Sequence, residues 1–472
     1  MKQGETYYSI AFVPCQLEAE SIAYKSKMKR AKNLGFFFVN LRIVFICNIQ
    51  KSKSFYTNTK KRNTYGRFWM INTNAVAPDF SFASLDCAPI FGYNVICKKT
   101  NANAHQSFNL KKGRITPMKY IPFDYARAEA IAKRTNDFYE AKGAKTQIHI
   151  KSCGSLKLPP IPALNTFSFP RDMERYLDMR AERDYLFSKF HEAIDDDFIP
   201  STSPWYGIAE HTAFLGGQVD FTETTTFQHQ ICGELEDFRG LKLDRDNLWI
   251  RLVVDGIRYM REKWGEYIPV RMRGADGPSD IANAVRGSDL FYDIYDEPET
   301  LAELMEFCSK AVQFTLNLQR EEATKIAGGC ITGFGLWMPG KCMGQLSEDV
   351  SVMLSPDVYE EHFLPALKDC IADCDGAMIH VHSLGHRMIP MFAALERIKM
   401  MEISSDPNSE RAVDIFRRYR EELQDKTVII APTYEELVSM QDLLETNKTL
   451  IWYYAKDEED AKRALRIVEK YR

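Results

Sequence analysis

From Met118 onward the chain alternates short apolar or β-branched runs with stretches of helical period, and few architectures accept that order. After a helix over 124–141, closed by Gly143, eight runs follow: QIHIKS (147–152), IDDDFIPS (194–201), IPVRMR (268–273), CITGFGL (330–336), AMIHVHS (377–383), KMMEIS (399–404), TVIIA (427–431) and LIWYY (450–454). The helices between them carry start signals. Pro356 sits just inside a helix capped by Ser355, with Asp357 and Glu360 near its positive end, and similar starts stand at Glu297-Pro298, Asn408-Ser409 and Lys456-Asp457. Repeated βα units of this kind predict an α/β fold, a (β/α)8 TIM barrel in a single domain over 118–472. An insertion is expected after the second strand, over 204–250, where FTETTTFQHQICGE (221–234) reads as extended chain or a hairpin.

The first 117 residues are different in kind. They hold 18 Lys/Arg against 5 Asp/Glu, in a chain whose net charge is only −4, and no helical or alternating pattern persists in them. One reading is a basic arm for nucleic acid or membrane. The other is a poorly patterned segment of the Lys, Asn, Ile, Phe and Tyr that AT-rich DNA yields, lying upstream of a natural start at Met118. The apolar run 34–49 is interrupted by Asn40 and Arg42, so it is not read as a membrane helix. No nucleic-acid or membrane partner is expected. Eleven cysteines, odd in number and without a CxxC pair, argue against a disulfide framework and for a cytoplasmic setting.

In barrels of this class the chemistry comes from the carboxyl ends of the strands. His380 and His382 are two apart on one run, so they share a face, and imidazoles so placed can hold zinc. They can equally be hydrogen-bonded, metal-free histidines recognising an anion. Cys342, Glu348 and Asp349, in a stretch read as the loop after the fourth strand, are candidate third ligands; Cys342 reads equally as a small buried thiol, and the two acids as caps of the following turn. The candidate catalytic groups are Glu348, Asp349, Arg273 and His386, and the candidate substrate contacts are Ser203, Trp205, Trp337 and Tyr453. Arg271 and Arg273 share a face and serve either an anionic substrate or ordinary salt bridges. Cys370 and Cys374 read as packing residues, and the acidic run 195–197 lies too early in its strand for the active rim.

Three segments resemble the uroporphyrinogen decarboxylase superfamily. QLSEDVSVMLSPDVYEEHFLPALK (345–368) has its acidic pair, Ser-Pro helix start and Leu-Pro break; residues 269–307 resemble its third strand with the Gly-x-Pro turn; and IHVHSLGH (379–386) is similar to the His-x-Cys-Gly segment of the zinc-dependent, corrinoid-linked methyltransferases. The resemblance spans about 124–472. It implies zinc on His380 and His382, a thiol activated to attack a methyl group carried by a separate corrinoid protein, a small-molecule substrate and a homodimer, with no nucleotide cofactor. Where the decarboxylases carry an arginine-rich Met-Arg-Gln-Ala-Gly-Arg segment this chain has IHIKSCGSLKLPP (148–160). A corrinoid-linked methyltransferase with a His-x-His metal site is therefore the leading expectation. The alternatives are uroporphyrinogen decarboxylase or a related metal-free decarboxylase or lyase acting on a carboxylated substrate, and a non-enzymatic binding barrel.

Overall fold

The structure, a computed structural model, describes residues 120–472. The expectations for the basic segment, for a start at Met118 and for the apolar run 34–49 fall outside the described residues. In chain order the strands are β1 (Lys145–Cys153), β2 (Val219–Phe221), β3 (Thr226–Gln228), β4 (Ala275–Asp276), β5 (Lys325–Ile326) and β6 (Gly329–Ile331). They continue with β7 (Trp337–Pro339), β8 (Cys342–Ser347), β9 (Gly376–Val381), β10 (Ile398–Ile403), β11 (Thr427–Ile430) and β12 (Lys448–Ala455). Seven of them form one parallel sheet in the order β1-β12-β11-β10-β9-β8-β4. The fold is thus α/β, with helices in the crossovers between these strands.

Alternation along the strands gives the sheet two buried faces. Ile148, Ile150, Ile379, Ile403, Ile430 and Ile451 pack outward against the helices, together with residues such as Leu367, Phe416 and Ala464. Met378, Met400, Ile429, Leu450 and Trp452 point to the other face, where they meet Cys342, Leu336 and Met338. The helix starts follow their caps: Asp124 accepts from Arg127 N at 2.9 Å, Ser355 from Val358 N at 3.3 Å, and Asp457 from Asp460 N at 2.9 Å. The helix expected after Asn408-Ser409 begins later, at Ala412. The insertion holds the expected hairpin, β2 against β3. No helix among the described residues is long and apolar enough to cross a membrane.

Three of the expected strands come out differently. The run 330–336 does not join the main sheet; its first residues, Cys330 and Ile331, lie in β6, which pairs with β5 and β7 in a small antiparallel sheet. The parallel strand is β8 instead, read from sequence as loop because CMGQLS has no β-branched residue and because Gln345, at φ 60°, breaks the register between Met343 and Leu346. The run 194–201 forms no strand. Asp196 and Asp197 turn their carboxylates onto the edge of β1, accepting from Ile150 N and Ile148 N at 3.0 Å each, and Pro200 lacks an amide to donate. Parallel pairing resumes in one bridge between Thr202 and Val270, and the run 268–273 leads on to the short β4.

Candidate metal centre

The parallel register sets the site. Asp276 pairs with Ser347, Ser347 with His380, and His380 with Glu402, so one row crosses the carboxyl ends of β4, β8, β9 and β10. His382 lies just past β9 with an extended backbone, φ −68° and ψ 143°, and so keeps the facing of His380. Asp406 stands beyond the end of β10. Asp349 opens the 3-10 turn Asp349–Met353 after β8, a turn anchored by Asp280, whose carboxylate accepts from Asp349 N at 2.9 Å and Val350 N at 2.8 Å.

Each imidazole is held from behind by a carboxylate. His380 Nδ1 bonds Glu402, and His382 Nδ1 lies 2.5 Å from Asp406 Oδ1. Asp406 is itself fixed, accepting from Ser383 Oγ at 2.8 Å and Leu384 N at 3.2 Å. With both Nδ1 atoms engaged, the two Nε2 atoms turn toward each other at 3.3 Å, and Asp349 Oδ2 lies 3.3 Å from His382 Nε2. All three donor atoms fall within 4.8 Å of one another. A carboxylate on Nδ1 is the arrangement that orients a metal-binding histidine and makes it a better donor. Zinc–nitrogen bonds of tetrahedral geometry place two ligand nitrogens about 3.3–3.4 Å apart, the separation found here. Asp349 Oδ1, buried and without a partner, adds an oxygen donor in want of a positive charge. The residues fit a divalent ion bound through two nitrogens and a carboxylate.

Burial opposes a charge on His382, but its bonds to Asp349 and Asp406 outweigh burial and push its pKa up to about 11. Asp349, although burial would raise it, is held below the usual carboxylate range by His382 and His380. Behind this centre, burial pushes Glu348 up to about 7; its carboxylate takes hydrogen bonds from the Ser279 hydroxyl and, at 2.8 Å, from Tyr359. Burial, and then the charge of Asp349, push Asp276 to about 8. A carboxyl so raised is protonated at neutral pH and donates rather than accepts.

The structure brings Asp349, His380 and His382 together and sets the other expected residues apart. Cys342 is not part of the centre. Because its segment is a strand rather than a loop, it lies at the opposite end of β8, five residues before Ser347 and about 16 Å away at the usual rise. There its thiol sits in the inner apolar cluster, bonded to Cys330. Glu348 faces the outer side, as described. Arg273 is ion-paired with Glu210 and lies 4.0 Å over the Trp205 ring, so its charge is already countered within the fold. Ser203 is buried, with its carbonyl taken by Arg180 at 3.4 Å. Trp337 donates to Ile326 O at 2.9 Å and packs with Ala128 and Ile131 under the helix Tyr125–Glu140. Tyr453 is on the outer face, bonded to Asp460, and its neighbour Trp452 is the inward residue. His386 bonds Tyr419 at 3.0 Å. Cys370 and Cys374 are buried free thiols in the helix layer.

One residue of this face was not singled out from sequence. Lys151, on the inward side of β1, donates to Phe334 O at 2.5 Å, and the Phe334 ring lies 5.7 Å from that of His380. The alternation Gln147, His149, Lys151 against Ile148, Ile150 was the available signal, since it puts polar groups on the inner face. Glu210 lies within the insertion, where no periodic pattern marked it.

No family model matches the chain, and no curated protein matches it in sequence. Among solved structures, a methyltransferase from Methanosarcina mazei aligns with 72% of this chain and 98% of its own, at 10% sequence identity and a TM-score of 0.49.

Proposed function

We propose that this chain is a metal-dependent methyltransferase-like enzyme of the uroporphyrinogen decarboxylase superfamily, working on a small thiol with a separate corrinoid protein as methyl donor. The observation that carries the reading is the facing pair of Nε2 atoms at 3.3 Å, each ring braced at Nδ1 by Glu402 or Asp406, with Asp349 as the oxygen donor. The sequence resemblance over 345–368 and 379–386 points to the same residues.

A (β/α)8 barrel is the architecture we infer behind the parallel sheet. Its support lies in the hydrogen bonds across the gap between β1 and β4: Asp197 N to Ile148 O, Thr202 N to Pro269 O and Arg271 N to Thr202 O, each at 2.9 Å. They support reading residues 196–203 and 268–273 as the second and third strands of a ring.

Zinc bound by His380, His382 and Asp349 would lower the pKa of a coordinated thiol, making a thiolate available at neutral pH. Glu402 and Asp406 fix the tautomer of each ring by accepting a hydrogen bond from Nδ1–H. Asp276, at the carboxyl end of the neighbouring strand and in the same row as His380, is placed to contact a polar group of the substrate. Phe334, between His380 and Trp452 with ring centroids 5.7 and 5.4 Å away, screens one side of the centre from water.

A second reading has its own support. The imidazolium of His382, paired with both Asp349 and Asp406, forms an ion network that suits a metal-free lyase binding a carboxylated substrate. Methyl transfer from methylcobalamin to a small thiol separates the two. The proposal expects zinc-loaded protein to turn over and chelator-stripped protein to lose at least about a hundred-fold in rate, with recovery on adding zinc. Equal rates with and without metal, or no transfer at all, would sink it.

A further inference from the structure

We infer that Cys330 and Cys342 are a redox modification site, a dithiol that a hydroperoxide closes to a disulfide across the base of the β6–β7 hairpin. The inference rests on neither a metal nor methyl transfer. β6 runs beside β8 with a constant offset: a Cβ on Gly344 would meet the Thr332 side chain at 2.2 Å, and one on Gly333 would lie 3.0 Å from the Gln345 Cβ. Gly344 and Thr332 therefore face each other, and alternation carries that facing two residues back along each strand, to Cys342 and Cys330. The two thiols are hydrogen-bonded there, at the amino end of β8. Neighbouring strands lie about 4.7–4.9 Å apart, within the span that a disulfide bridges.

Cations flank the pair. Lys325, directly opposite Cys330 in the β5–β6 register, donates to its Sγ at 3.1 Å, and Arg320 donates to the Cys342 carbonyl. The hydrogen bond from Cys342 outweighs burial and, with the Lys325 ammonium, holds Cys330 below the usual thiol range; Cys342, bonded to it and buried, is pushed up. Such a pair has one sulfur ready to attack as a thiolate and a second ready to resolve the product. Cys330 is buried, but the Lys325 side chain that lies on it is exposed, so a water-sized oxidant reaches the sulfur when that long side chain swings aside. Further along the hairpin stands Phe334, its ring 5.7 Å from that of His380, so the link fixes the base of the segment whose tip meets the histidine centre.

In the step itself, the Cys330 thiolate attacks a peroxide oxygen, the oxygen–oxygen bond breaks, and a sulfenic acid forms while the departing hydroxide takes up a proton and leaves as water. The Cys342 thiol then attacks the Cys330 sulfur; the sulfur–sulfur bond forms as the sulfur–oxygen bond breaks, and a second water carries off the thiol proton. Two electrons pass from the two sulfurs to the peroxide.

The test treats the full chain with a small excess of hydrogen peroxide at neutral pH, alkylates the remaining thiols and maps the peptides. The inference expects a Cys330–Cys342 disulfide, reversed by dithiothreitol and formed roughly ten-fold or more faster than any link between Cys370 and Cys374, whose thiols burial pushes up. Lys325→Gln should slow the closure by about ten-fold, and Lys325→Arg should largely restore it. Cys330 and Cys342 recovered as free thiols, or closing no faster than Cys370 and Cys374, overturn the inference, as does an unchanged rate in a folded Lys325→Gln chain. Because the comparison between the two cysteine pairs is made within the unaltered protein, it stands even where a variant does not fold.

Discussion

His380 and His382 turn their Nε2 atoms to within 3.3 Å of each other because each ring is held from behind, His380 by Glu402 and His382 by Asp406. Strand geometry supplies the common direction, and the carboxylates of the neighbouring strand and its following loop supply the aim. Two imidazoles presenting lone pairs to one point repel unless a proton or a cation lies between them. On the proposed function the arrangement has two stable forms, a protonated one and a metal-bound one, and binding of a metal would release the proton.

The braces should matter nearly as much as the ligands. Glu402→Gln and Asp406→Asn keep the shape but remove the charge behind each ring, so each should weaken metal binding by about 10–100-fold. Titration against a chelator of known affinity measures this. Unchanged affinity in both variants would mean that the carboxylates serve only to neutralise a protonated histidine.

Cys342 should be dispensable to the centre. Its thiol is in the inner core beside Cys330, away from the histidines, so Cys342→Ala should leave metal content as it is and cost about 1 kcal/mol in stability. Denaturant unfolding together with metal analysis checks both halves. A loss of metal in this variant would contradict the placement of β8.

That cysteine also shows where sequence reading stopped. Five of the eight expected runs, those at β1, β9, β10, β11 and β12, are strands of the main sheet, because each is a β-branched or apolar run bounded by turn residues. The fourth was misplaced because propensity favoured CITGFGL over CMGQLS, whereas tertiary pairing chose the latter and accommodated Gln345 in a left-handed conformation. The histidine pair was legible because i and i+2 share a face whatever the fold. Which of Trp452 and Tyr453 turns inward was not, since alternation gives two sets without saying which one is inside. The pairing of Arg273 with Glu210 joins residues far apart in sequence, with no local pattern to announce it.

Arg273 should prove structural in large part. Its guanidinium is buried against Glu210 and stacked on Trp205, so Arg273→Met leaves a buried carboxylate uncompensated and should cost about 3–5 kcal/mol. Replacing both partners, as Arg273→Met with Glu210→Gln, should recover most of that loss. A double-mutant cycle by chemical denaturation measures it, and additive losses would contradict the pairing.

Lys151 should also leave a mark on stability against pH. Its pKa is near 10.5 in the unfolded chain and about 7 in the fold, with burial the main cause and Arg271 the next. Between these values the unfolded chain binds the extra proton, so this residue makes stability rise with pH there, at most on the order of 1 kcal/mol per pH unit. Below about 7 both states are protonated and the full penalty of the buried charge remains. Lys151→Met should flatten that rise, as measured by unfolding midpoints across neutral to alkaline pH, and an unchanged slope would contradict the assignment.

The most direct test of the metal centre is elemental analysis of the purified chain beside His380→Ala/His382→Ala, after equilibration with zinc and removal of excess. The account predicts about one zinc per folded chain and none held by the double variant. Folded wild-type protein that retains no metal, or a double variant that retains as much, would contradict it.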